Sequence, residues 1–497
     1  FNTENLDKET LLHLYKAMVL PRTIEEKMLI ALRQGKISKR FSSWGQEATS
    51  VGSALAMNKE EYILTMHRNL GVFTSREIPL ARLFSQFQGK MNGFTKGRDR
   101  SFHFGTQEFK IVGMISHLGS QMGVADGIAL SHLLNQEEKC TLVYTGDGGA
   151  SEGDFHEAVN TAAVWNLPVI IVVENNQWGL STPSREQFRC KSFADKGIGY
   201  GIEAHSINGN NILEVYQTFK NLAESIRKNP RPILVECNTF RLRGHEEASG
   251  TAYYPEGMIE EWTKQDPIAN YEQFLLSEGI LNQNLIEEIK ESYKKQVDEA
   301  LDKTIAEPEI IPNKKTELED VYAPFDNHEI LPQKLQNREI RFIDAISEAI
   351  EISMKNHPNL VLMGQDIAEY GGAFKITEGF VEKFGKKRVR NTPLCEAAIV
   401  GSGLGLSING YKSMVEMQFA DFVTEGFNQI INNLAKTHYR WNQNADVVVR
   451  MPTGAGTGAG PFHSQSNEAW FTKTPGLKIA YPAFPDDAKG LLIQSFE

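Results

Sequence analysis

Two short apolar runs, each followed by polar residues, constrain the fold of this chain more than any other feature. The first run, 140–145, ends at Gly146-Asp147-Gly148, and the second run, 169–173, leads to Asn175-Asn176. The 26 residues between these motifs can hold one turn, one crossover helix and a short strand, as a right-handed βαβ unit requires. The sequence therefore predicts two neighbouring parallel strands that carry oxygen ligands at the same sheet edge.

The predicted strand ends offer ligands that suit a hard cation. Mg²⁺ prefers about six oxygens at about 2.0 to 2.1 Å and keeps places for water and phosphate oxygens. Asp147 and Asn176 supply two side-chain oxygens, and the backbone carbonyl of Trp178 is a candidate third ligand. Either motif alone is more often an ordinary turn or loop start, but the two motifs at βαβ spacing favour a magnesium site.

The segment after Asp147 leaves room for a phosphate group. Gly148, Gly149 and Ala150 carry little side chain, and they lead into a predicted helix whose first amides and positive dipole end attract anions. We therefore expect this edge to bind a magnesium diphosphate in preference to a dinucleotide.

The residues around the two motifs resemble a known enzyme family. The pattern is similar to the thiamine diphosphate motif, and residues 149–154 and 174–183 resemble the α subunit of the 2-oxoacid dehydrogenases. That subunit belongs to the decarboxylating first component of those complexes. The resemblance runs from about Leu11 to His245 and beyond, and it implies thiamine diphosphate and magnesium as cofactors.

Composition and charge are those of an ordinary globular protein with several domains. The chain has 497 residues, 41% of them hydrophobic and 23% charged, which is enough for two to four domains. No apolar stretch approaches the roughly 20 residues that span a bilayer, so we expect no membrane partner. The net charge of −11 argues against a general nucleic-acid surface.

The cysteine pattern indicates a reducing compartment. Four cysteines are widely spaced and match no CxxC metal or redox pattern, so we expect a cytoplasmic location. The sequence starts at Phe1 without methionine or a signal segment, so any processed leader lies outside it.

The first half of the chain and the segment after it differ in pattern. Helical periodicity over 8–34 and strand–helix alternation through 232–237 predict an α/β domain with a doubly wound parallel sheet over residues 1–302. Residues 303–336 contain four prolines among charged and amide residues without a sustained period, which predicts a linker.

The second half, residues 337–497, is predicted to be another doubly wound α/β domain. Helical spacing over 338–355 and a strand over 360–363 open it. It resembles the β subunit of the same enzymes through segments 371–374, 392–401, 418–422 and 463–466.

This second resemblance implies that two subunits are fused in one chain and that a homodimer takes the place of the family's α2β2 assembly. In the family, a further domain follows the stretch that matches 486–492, so we expect that domain to be missing from this sequence and the sequence to be part of a longer protein. The diphosphate end and the aminopyrimidine end of the cofactor are assigned to different halves, so it must sit at an interface between them. The linker is long enough to allow an arrangement within one chain or between chains.

Glu396 matches the family glutamate that activates the cofactor. A carboxylic acid must hydrogen-bond the far nitrogen of the aminopyrimidine, so that this ring can remove the proton from the thiazolium carbon. A dry pocket would raise the pKa of such a glutamate. The competing interpretation is a first-turn helix acid, because Thr392-Pro393 is a plausible cap and first helical residue.

Two histidines match family positions near the reacting end of the cofactor. His245 follows Arg241-Leu242-Arg243-Gly244, and its ordinary pKa near 6.5 suits proton delivery or hydrogen bonding. His463 follows a glycine-rich stretch that is a weak nucleotide signal by itself. The resemblance implies that it protonates an intermediate or assists transfer to lipoamide. An exposed or structural histidine is the alternative at both positions.

The loop after His245 departs from the mitochondrial pattern. Glu246-Glu247 stand where that pattern has a serine targeted by a kinase. Phosphorylation control at this position is therefore not expected.

Five further residues are assigned to cofactor binding by the resemblance. Arg68 matches an arginine on the diphosphate, a role that suits a guanidinium fork, although a surface salt bridge is the alternative. His67 stands where relatives often carry tyrosine, and Leu118 matches the apolar residue under the bent cofactor, although any buried leucine would give the same pattern. Phe422 is expected to face the aminopyrimidine, with plain core packing as the alternative, and Gln418 lies in the same segment.

The resemblance implies an enzyme that decarboxylates a 2-oxoacid oxidatively and then acylates the lipoyl group of a dihydrolipoyl acyltransferase. Residues 181–183, 186–189 and 418–422 resemble the branched-chain subgroup more than the pyruvate enzymes. A branched-chain 2-oxoacid is therefore the expected substrate, and pyruvate is the first alternative.

Three other functions are less compatible with the sequence. Transketolase-like carbon transfer uses the same cofactor machinery, but the likeness to lipoyl-linked enzymes argues against it. A nicotinamide oxidoreductase built on Gly401-Ser402-Gly403-Leu404-Gly405 is disfavoured, because these glycines follow a helix start and not an apolar strand. A non-catalytic subunit of a large complex is the third alternative.

Overall fold

The structure of the protein, a computed structural model, describes residues 1–4, 6–37, 40–99, 102–325 and 338–497. These residues form two compact units, one of Phe1–Ala125 with Gln136–Ile311 and one of Asp126–Asn135 with Pro312–Glu497. Each unit is built on a parallel sheet with helices, which confirms the predicted α/β fold class.

The α-helices of the described residues vary from one turn to seven turns. In chain order they are α1 Lys8–Arg33, α2 Glu47–Ala56, α3 Leu70–Ser75, α4 Leu80–Gln88, α5 Ser120–Asn135, α6 Gly153–Trp165, α7 Asp195–Tyr200, α8 Ile212–Lys228, α9 Met258–Thr263, α10 Pro267–Ser277, α11 Gln283–Ile305, α12 Lys314–Glu319, α13 Phe342–Asn356, α14 Phe380–Phe384, α15 Glu396–Ile408, α16 Ala435–Trp441 and α17 Pro485–Gln494.

The strands are short. They are β1 Ile63–Leu64, β2 Ile111–Val112, β3 Thr141–Gly146, β4 Val169–Asn175, β5 Trp178–Gly179, β6 Thr182–Pro183, β7 Glu203–Asn208, β8 Ile233–Asn238, β9 Leu360–Gly364, β10 Val389–Asn391, β11 Lys412–Glu416 and β12 Val447–Arg450.

The first unit contains the predicted βαβ unit. Its six strands lie in the order β2-β1-β3-β4-β8-β7, and all the pairs are parallel. Gly146 at the end of β3 lies opposite Glu174 of β4, and α6 is the crossover helix. Asp147 and Asn176 therefore follow neighbouring strands at the carboxyl edge of the sheet, as the spacing predicted.

Burial explains why these runs form central strands. The residues from Thr141 to Thr145 and from Val169 to Glu174 are buried along their whole length, without alternation, which is typical of a parallel sheet covered on both faces. Helix α6 is capped by Asn166, whose φ of 51° is left-handed, a conformation that asparagine tolerates at a helix end. The chain then turns directly into β4.

The first helix confirms the predicted amphipathic segment over 8–34. Asp7 is the N-cap of α1, and its carboxylate accepts the Thr10 N–H over 2.8 Å, which satisfies one of the unpaired amides of the first turn. Leu11, Leu14 and Met18 recur at helical spacing and are buried.

The second unit has a four-stranded parallel sheet in the order β10-β9-β11-β12. The predicted strand over 360–363 is β9, whereas the predicted helix over 338–355 begins later, as α13. The expected helix start at Thr392-Pro393 was wrong, because α15 begins at Glu396 after Cys395 as N-cap.

The glycines at 401, 403 and 405 lie inside helix α15. A side chain at position 403 would meet Ser413 Oγ at 3.0 Å and Val415 Cγ1 at 3.1 Å. These small residues therefore let the helix approach strand β11 closely, and they are not a nucleotide-binding turn after a strand.

The predicted linker 303–336 contains ordered structure at its start. Helix α11 extends into it, and residues up to Ile311 group with the first unit. Glu307 accepts hydrogen bonds from Ser85 Oγ at 2.6 Å and, through its backbone oxygen, from Lys90 Nζ at 3.0 Å. Because these contacts join residues far apart in the sequence, they produce no periodic pattern that could reveal them. Residues 326–336 of the predicted linker lie outside the described residues, and the domain limits remain a prediction.

Two further sequence features have simple structural counterparts. All four cysteines carry free thiols, and Cys190 is the one that is partly exposed. Among the described residues, no helix combines the length and apolar character that crossing a membrane requires.

Candidate active site

The carboxylate of Asp147 is buried and held by a hydroxyl group. Asp147 is 1% exposed, and Ser184 Oγ donates a hydrogen bond to its Oδ2 over 2.6 Å. Burial raises the pKa of Asp147, while the Ser184 hydrogen bond and the Arg241 guanidinium act to lower it. A carboxylate in such a setting is stabilised by a bound cation.

The loop after β4 orients the predicted amide and carbonyl ligands. Asn176 Oδ1 accepts the Trp178 N–H over 3.2 Å, which fixes the amide plane and leaves a second lone pair on the oxygen. Strands β5 and β6 form a small antiparallel hairpin. This hairpin carries Trp178 and leads directly into Ser184, the residue that holds Asp147.

The donor set fits the magnesium that the family resemblance implies. One carboxylate, one amide oxygen and one backbone carbonyl are hard oxygen donors, and Mg²⁺ completes such sets with water and phosphate oxygens. The burial of Asp147, which Ser184 and Arg241 compensate only in part, is the structural observation that favours a cation here. Asp147, Asn176 and Trp178 are therefore the residues that would hold it.

The glycine loop is packed too tightly for larger side chains. A Cβ added at Gly149 would lie 2.4 Å from Thr145 Oγ1, and one added at Gly148 would lie 3.2 Å from Gly179 Cα. The same Gly149 position would be 3.5 Å from Leu118 Cβ. The predicted cofactor residue Leu118, which is partly buried, thus lies beside this loop.

The N-terminus of α6 contributes less to anion binding than the sequence predicted. The Ser151 and Glu152 N–H groups donate to the carbonyls of Gly148 and Gly149 at 3.2 Å each, because residues 149–151 form a 3₁₀ turn before α6. These two amides are therefore not offered to an anion. Ala150 is fully buried in this turn.

Arg68 is a buried cation of the first unit. It is 4% exposed, and its Nη1 donates to the backbone oxygens of Ser42 at 2.9 Å and His245 at 3.2 Å. Burial and the Arg241 guanidinium lower the pKa of Arg68 to about 9, so it remains charged at neutral pH. An anionic ligand would compensate this charge.

His67 and His245 lie together at this arginine. Arg68 Nη2 is 3.0 Å from His67 Nε2 and 3.3 Å from His245 Nδ1, and the two imidazole centroids are 5.7 Å apart. Phe41 packs edge-on against both rings. Burial and the neighbouring Arg68 guanidinium hold the pKa of His67 well below its usual range.

Three residues that the sequence interpretation did not select belong to this region. Arg241 is 2% exposed, and its Nη1 lies 3.1 Å from His245 Nδ1. Ser184 holds Asp147, as described above. Glu174 is fully buried, accepts Asn69 Nδ2 over 2.8 Å, and has its pKa raised to about 7 by burial.

In the second unit, Glu396 is the first residue of α15 and is therefore also a first-turn helix acid. Gln365 Nε2, from the end of β9, donates to Glu396 Oε1 over 3.0 Å. Gln365 is 6% exposed and Glu396 is half-buried. This hydrogen bond holds the carboxyl group at the carboxyl edge of the second sheet.

The structure brings Phe422 and His463 together. Their ring centroids are 5.3 Å apart, and Phe419 lies 4.8 Å from the same histidine ring. Gln418 makes a separate contact, since its Nε2 donates to Asp366 Oδ2 over 2.6 Å. The second unit thus offers an aromatic pair with one histidine, and its predicted residues form no polar cluster like that of the first unit.

Comparison with known proteins gives a consistent result for both units. Residues 15–313 match the family model described as dehydrogenase E1 component, and residues 338–497 match the model described as transketolase, pyrimidine binding domain.

Curated relatives match about three fifths to two thirds of the chain. The 2-oxoisovalerate dehydrogenase subunit alpha of Bacillus subtilis (strain 168) is 35% identical over 309 residues, which is 60% of this chain and 92% of the relative. The mitochondrial subunit alpha of Homo sapiens is 33% identical over 321 residues, 64% of this chain and 72% of the relative. The mitochondrial subunit alpha 2 of Arabidopsis thaliana is 31% identical over 338 residues, 67% and 70% respectively.

Proposed function

Because the chain belongs to the dehydrogenase E1 component family, we propose that it decarboxylates a branched-chain 2-oxoacid oxidatively and acylates the lipoyl group of a dihydrolipoyl acyltransferase. At the coarser level, it is a thiamine-diphosphate-dependent 2-oxoacid dehydrogenase. The relatives named above as 2-oxoisovalerate dehydrogenase subunits support the branched-chain proposal.

The observation that carries the proposal is the buried carboxylate of Asp147 beside the Asn176 loop. We assign the magnesium ion to Asp147, Asn176 and the Trp178 carbonyl, and the diphosphate to the Arg68 guanidinium. Asp147 and Arg68 have opposite charges and both are buried, which suits a ligand that carries a metal cation and phosphate anions together.

The bound cofactor would supply the carbon nucleophile and the electron sink for decarboxylation. Glu396 would hold a proton on its carboxyl group and share it with the ring nitrogen of the aminopyrimidine. Phe422 would pack against that ring, and the hydrogen bond from Gln365 would keep the Glu396 carboxyl group in one orientation.

The two predicted histidines would serve the reacting end of the substrate. His245 would hydrogen-bond diphosphate or substrate oxygens, and His463 would exchange a proton during transfer to the lipoyl sulfur. The ring contacts of His463 with Phe419 and Phe422 exclude water from one part of its surface.

Acceptor-coupled turnover of the full chain with thiamine diphosphate and Mg²⁺ tests the proposal. We expect a higher kcat/KM for 3-methyl-2-oxobutanoate than for pyruvate, with a lipoylated acyltransferase domain as acceptor. A strong preference for pyruvate would overturn the substrate assignment. Turnover with an artificial electron acceptor but none with the lipoylated domain would overturn the acyl-transfer step.

We also propose that the chain acts as a homodimer, by analogy with an α2β2 assembly. Sedimentation equilibrium of the full chain should give twice the monomer mass of 55.8 kDa. A monomer that retains full 2-oxoacid turnover would contradict this part of the proposal.

A further inference from the structure

Two guanidinium groups meet at one nitrogen of His245. Arg241 Nη1 lies 3.1 Å and Arg68 Nη2 lies 3.3 Å from Nδ1 of this ring. A guanidinium group has only donors and no acceptor. Both contacts are therefore N–H donations, and Nδ1 of His245 must accept them with its lone pair.

This pattern determines which nitrogen carries the proton of the imidazole. A neutral histidine has one N–H and one acceptor nitrogen. With Nδ1 as the acceptor, the proton lies on Nε2. An imidazolium ring would turn an N–H of Nδ1 toward two cations, which is unfavourable both in hydrogen bonding and in charge.

Arg241 is itself fixed by contacts that do not involve the histidine. Its Nη2 donates to the Leu180 carbonyl over 2.8 Å, and its backbone oxygen accepts Tyr254 Oη–H over 3.3 Å. The side chain is 2% exposed and is among the largest fully buried side chains. The direction of the guanidinium is therefore set before any ligand binds.

The backbone of the histidine loop is held in the same way. The His245 N–H donates to Tyr253 Oη over 3.0 Å. Gly244 has a φ of 75°, and a side chain there would come within 2.6 Å of the Gly250 carbonyl oxygen. Ring position and tautomer are thus both determined by this chain.

We propose that Arg241 is a positioning residue that locks His245 in the Nε2–H tautomer, so that the ring acts as a hydrogen-bond donor and not as a general base. Donation to an oxyanion or a phosphate oxygen is the chemistry that this tautomer offers. The role of that donor in turnover rests on the proposed function, whereas the tautomer itself does not.

His67 provides an internal comparison. Its Nε2 faces Arg68 Nη2 at 3.0 Å, so the same argument places its proton on Nδ1. The burial that lowers the pKa of His67 keeps that ring neutral. The two neighbouring histidines should therefore have opposite tautomers.

Nitrogen NMR of the full chain, labelled with ¹⁵N in histidine and free of cofactor, tests the proposal at neutral pH. Assignment uses the spectra of His245→Gln and His67→Gln. We expect an unprotonated Nδ1 and a protonated Nε2 for residue 245, and the reverse for residue 67. A protonated Nδ1 at residue 245 would overturn the proposal.

The Arg241→Met and Arg241→Lys variants test the role of Arg241. We expect Arg241→Met to shift the His245 ring toward a mixture of tautomers, and Arg241→Lys to retain more of the Nε2–H form. Arg243→Met is the matched control, because Arg243 pairs with Glu247 at 2.8 Å and not with the ring; it should leave the spectrum unchanged. A residue-245 spectrum that Arg241→Met leaves unchanged would refute the positioning role.

A pair of substitutions at position 245 gives a second test, which does not depend on whether the Arg241 variants fold. The amide nitrogen of glutamine can occupy the place of Nε2, whereas that of asparagine matches Nδ1. We expect His245→Gln to bind thiamine diphosphate with Mg²⁺ at least about 10-fold more tightly than His245→Asn, the scale of one lost hydrogen bond to a charged group. Equal or tighter binding by Asn would contradict the donor role.

These results separate the inference from the proposed function. A chain without 2-oxoacid turnover would still show the predicted tautomers, and a chain with the opposite tautomer could still decarboxylate 2-oxoacids. The NMR spectrum decides the first question and the turnover assay decides the second.

Discussion

The first and second units present their predicted functional residues in different ways. In the first unit, Asp147, Arg68 and Arg241 are charged groups buried to at least 96%, and each is held by hydrogen bonds from distant parts of the chain. In the second unit, Glu396 accepts a hydrogen bond from Gln365, and His463 lies against aromatic rings. The first arrangement suits a multiply charged ligand, and the second suits an aromatic ring with one proton to share.

The difference shows that the first unit carries the energetic cost of burying charged groups. Burial raises the pKa of Asp147 and of Glu174 and lowers that of Arg68, so the first unit holds buried charges that its own residues compensate incompletely. A metal diphosphate would neutralise them. We therefore expect first-unit substitutions to act mainly on binding, and second-unit substitutions to act mainly on turnover.

The largest effect is expected from Glu396→Gln. The amide cannot share a carboxyl proton with the aminopyrimidine, so kcat should fall by roughly 10² to 10⁴-fold, the usual contribution of a positioned acid or base. The Kd for thiamine diphosphate with Mg²⁺ should change little, because the charged end of the ligand is assigned to the first unit.

Glu382→Gln in helix α14 is a suitable control, since this exposed acid belongs to the same unit but to none of the proposed contacts. Stopped-flow turnover and calorimetric binding measure the two quantities separately. If Glu396→Gln weakened binding strongly and left kcat intact, the comparison between the units would fail.

Asp147→Asn should produce the reverse pattern. Removing the carboxylate that binds the metal should weaken magnesium-dependent cofactor binding by at least about 100-fold. This is the upper end of the loss seen when the partners of a metal ligand are mutated. At a free ligand concentration 100 times the wild-type Kd, ligand binding should raise the unfolding free energy of the wild type by about 2.7 kcal/mol. The variant should show almost none of this gain in a thermal shift assay with ligand.

One result for Asp147→Asn would contradict the assignment of Asp147 to the metal. A variant that is stabilised by thiamine diphosphate and Mg²⁺ as strongly as the wild type would exclude Asp147 as a metal ligand. Measurement with thiamine diphosphate alone separates a metal effect from a direct effect on the cofactor.

Ser184→Ala should have a smaller effect of the same kind. The hydroxyl donates to Asp147 Oδ2, so its loss should loosen the carboxylate and weaken magnesium affinity by about 10-fold. Ser192→Ala is the matched control on the same segment, because Ser192 pairs with Glu236 and not with Asp147. Equal effects of the two substitutions would show that Ser184 has only a local structural role.

Asp126 tests whether a buried carboxylate always indicates a ligand. It is 1% exposed, its Oδ2 has no hydrogen-bond partner among the described residues, and burial raises its pKa well above 3.8. No ligand is assigned to it. We expect Asp126→Asn to increase the unfolding free energy at neutral pH, because the amide carries no charge that burial would penalise.

The sign follows from linkage. A carboxyl group whose folded pKa is raised keeps its proton in the folded state at pH values where the unfolded chain has lost it, so the wild type loses stability as pH rises above about 4. The advantage of Asp126→Asn should therefore shrink when chemical denaturation is repeated near pH 4. An advantage that is constant with pH would contradict this explanation.

The sequence predicted the elements whose pattern is local. The apolar runs that became β3 and β4, the amphipathic α1 and the strand β9 are visible as uninterrupted or periodic hydrophobicity. The position of Asp147 and Asn176 on neighbouring strands followed from the length of the interval between them. These features depend on few contacts beyond their own segment.

Other features depend on tertiary contacts and could not be predicted in the same way. Ser184 reaches Asp147 across 37 residues, and Arg241 meets the Leu180 carbonyl across 61. Helix α15 begins at Glu396, three residues after the expected first helical residue Pro393, and the beginning of the predicted linker packs against α4. The position of Arg241 between two apolar residues, soon after a buried strand, is a local signal that it is not a surface residue.

The most direct test of the central claim is a crystal structure of the full chain with thiamine diphosphate and Mn²⁺, whose anomalous scattering locates the metal. We predict a carboxylate oxygen of Asp147 and Oδ1 of Asn176 within about 2.5 Å of the ion, allowing for its size relative to Mg²⁺. A metal more than about 5 Å from both side chains, beyond any direct bond, would contradict it.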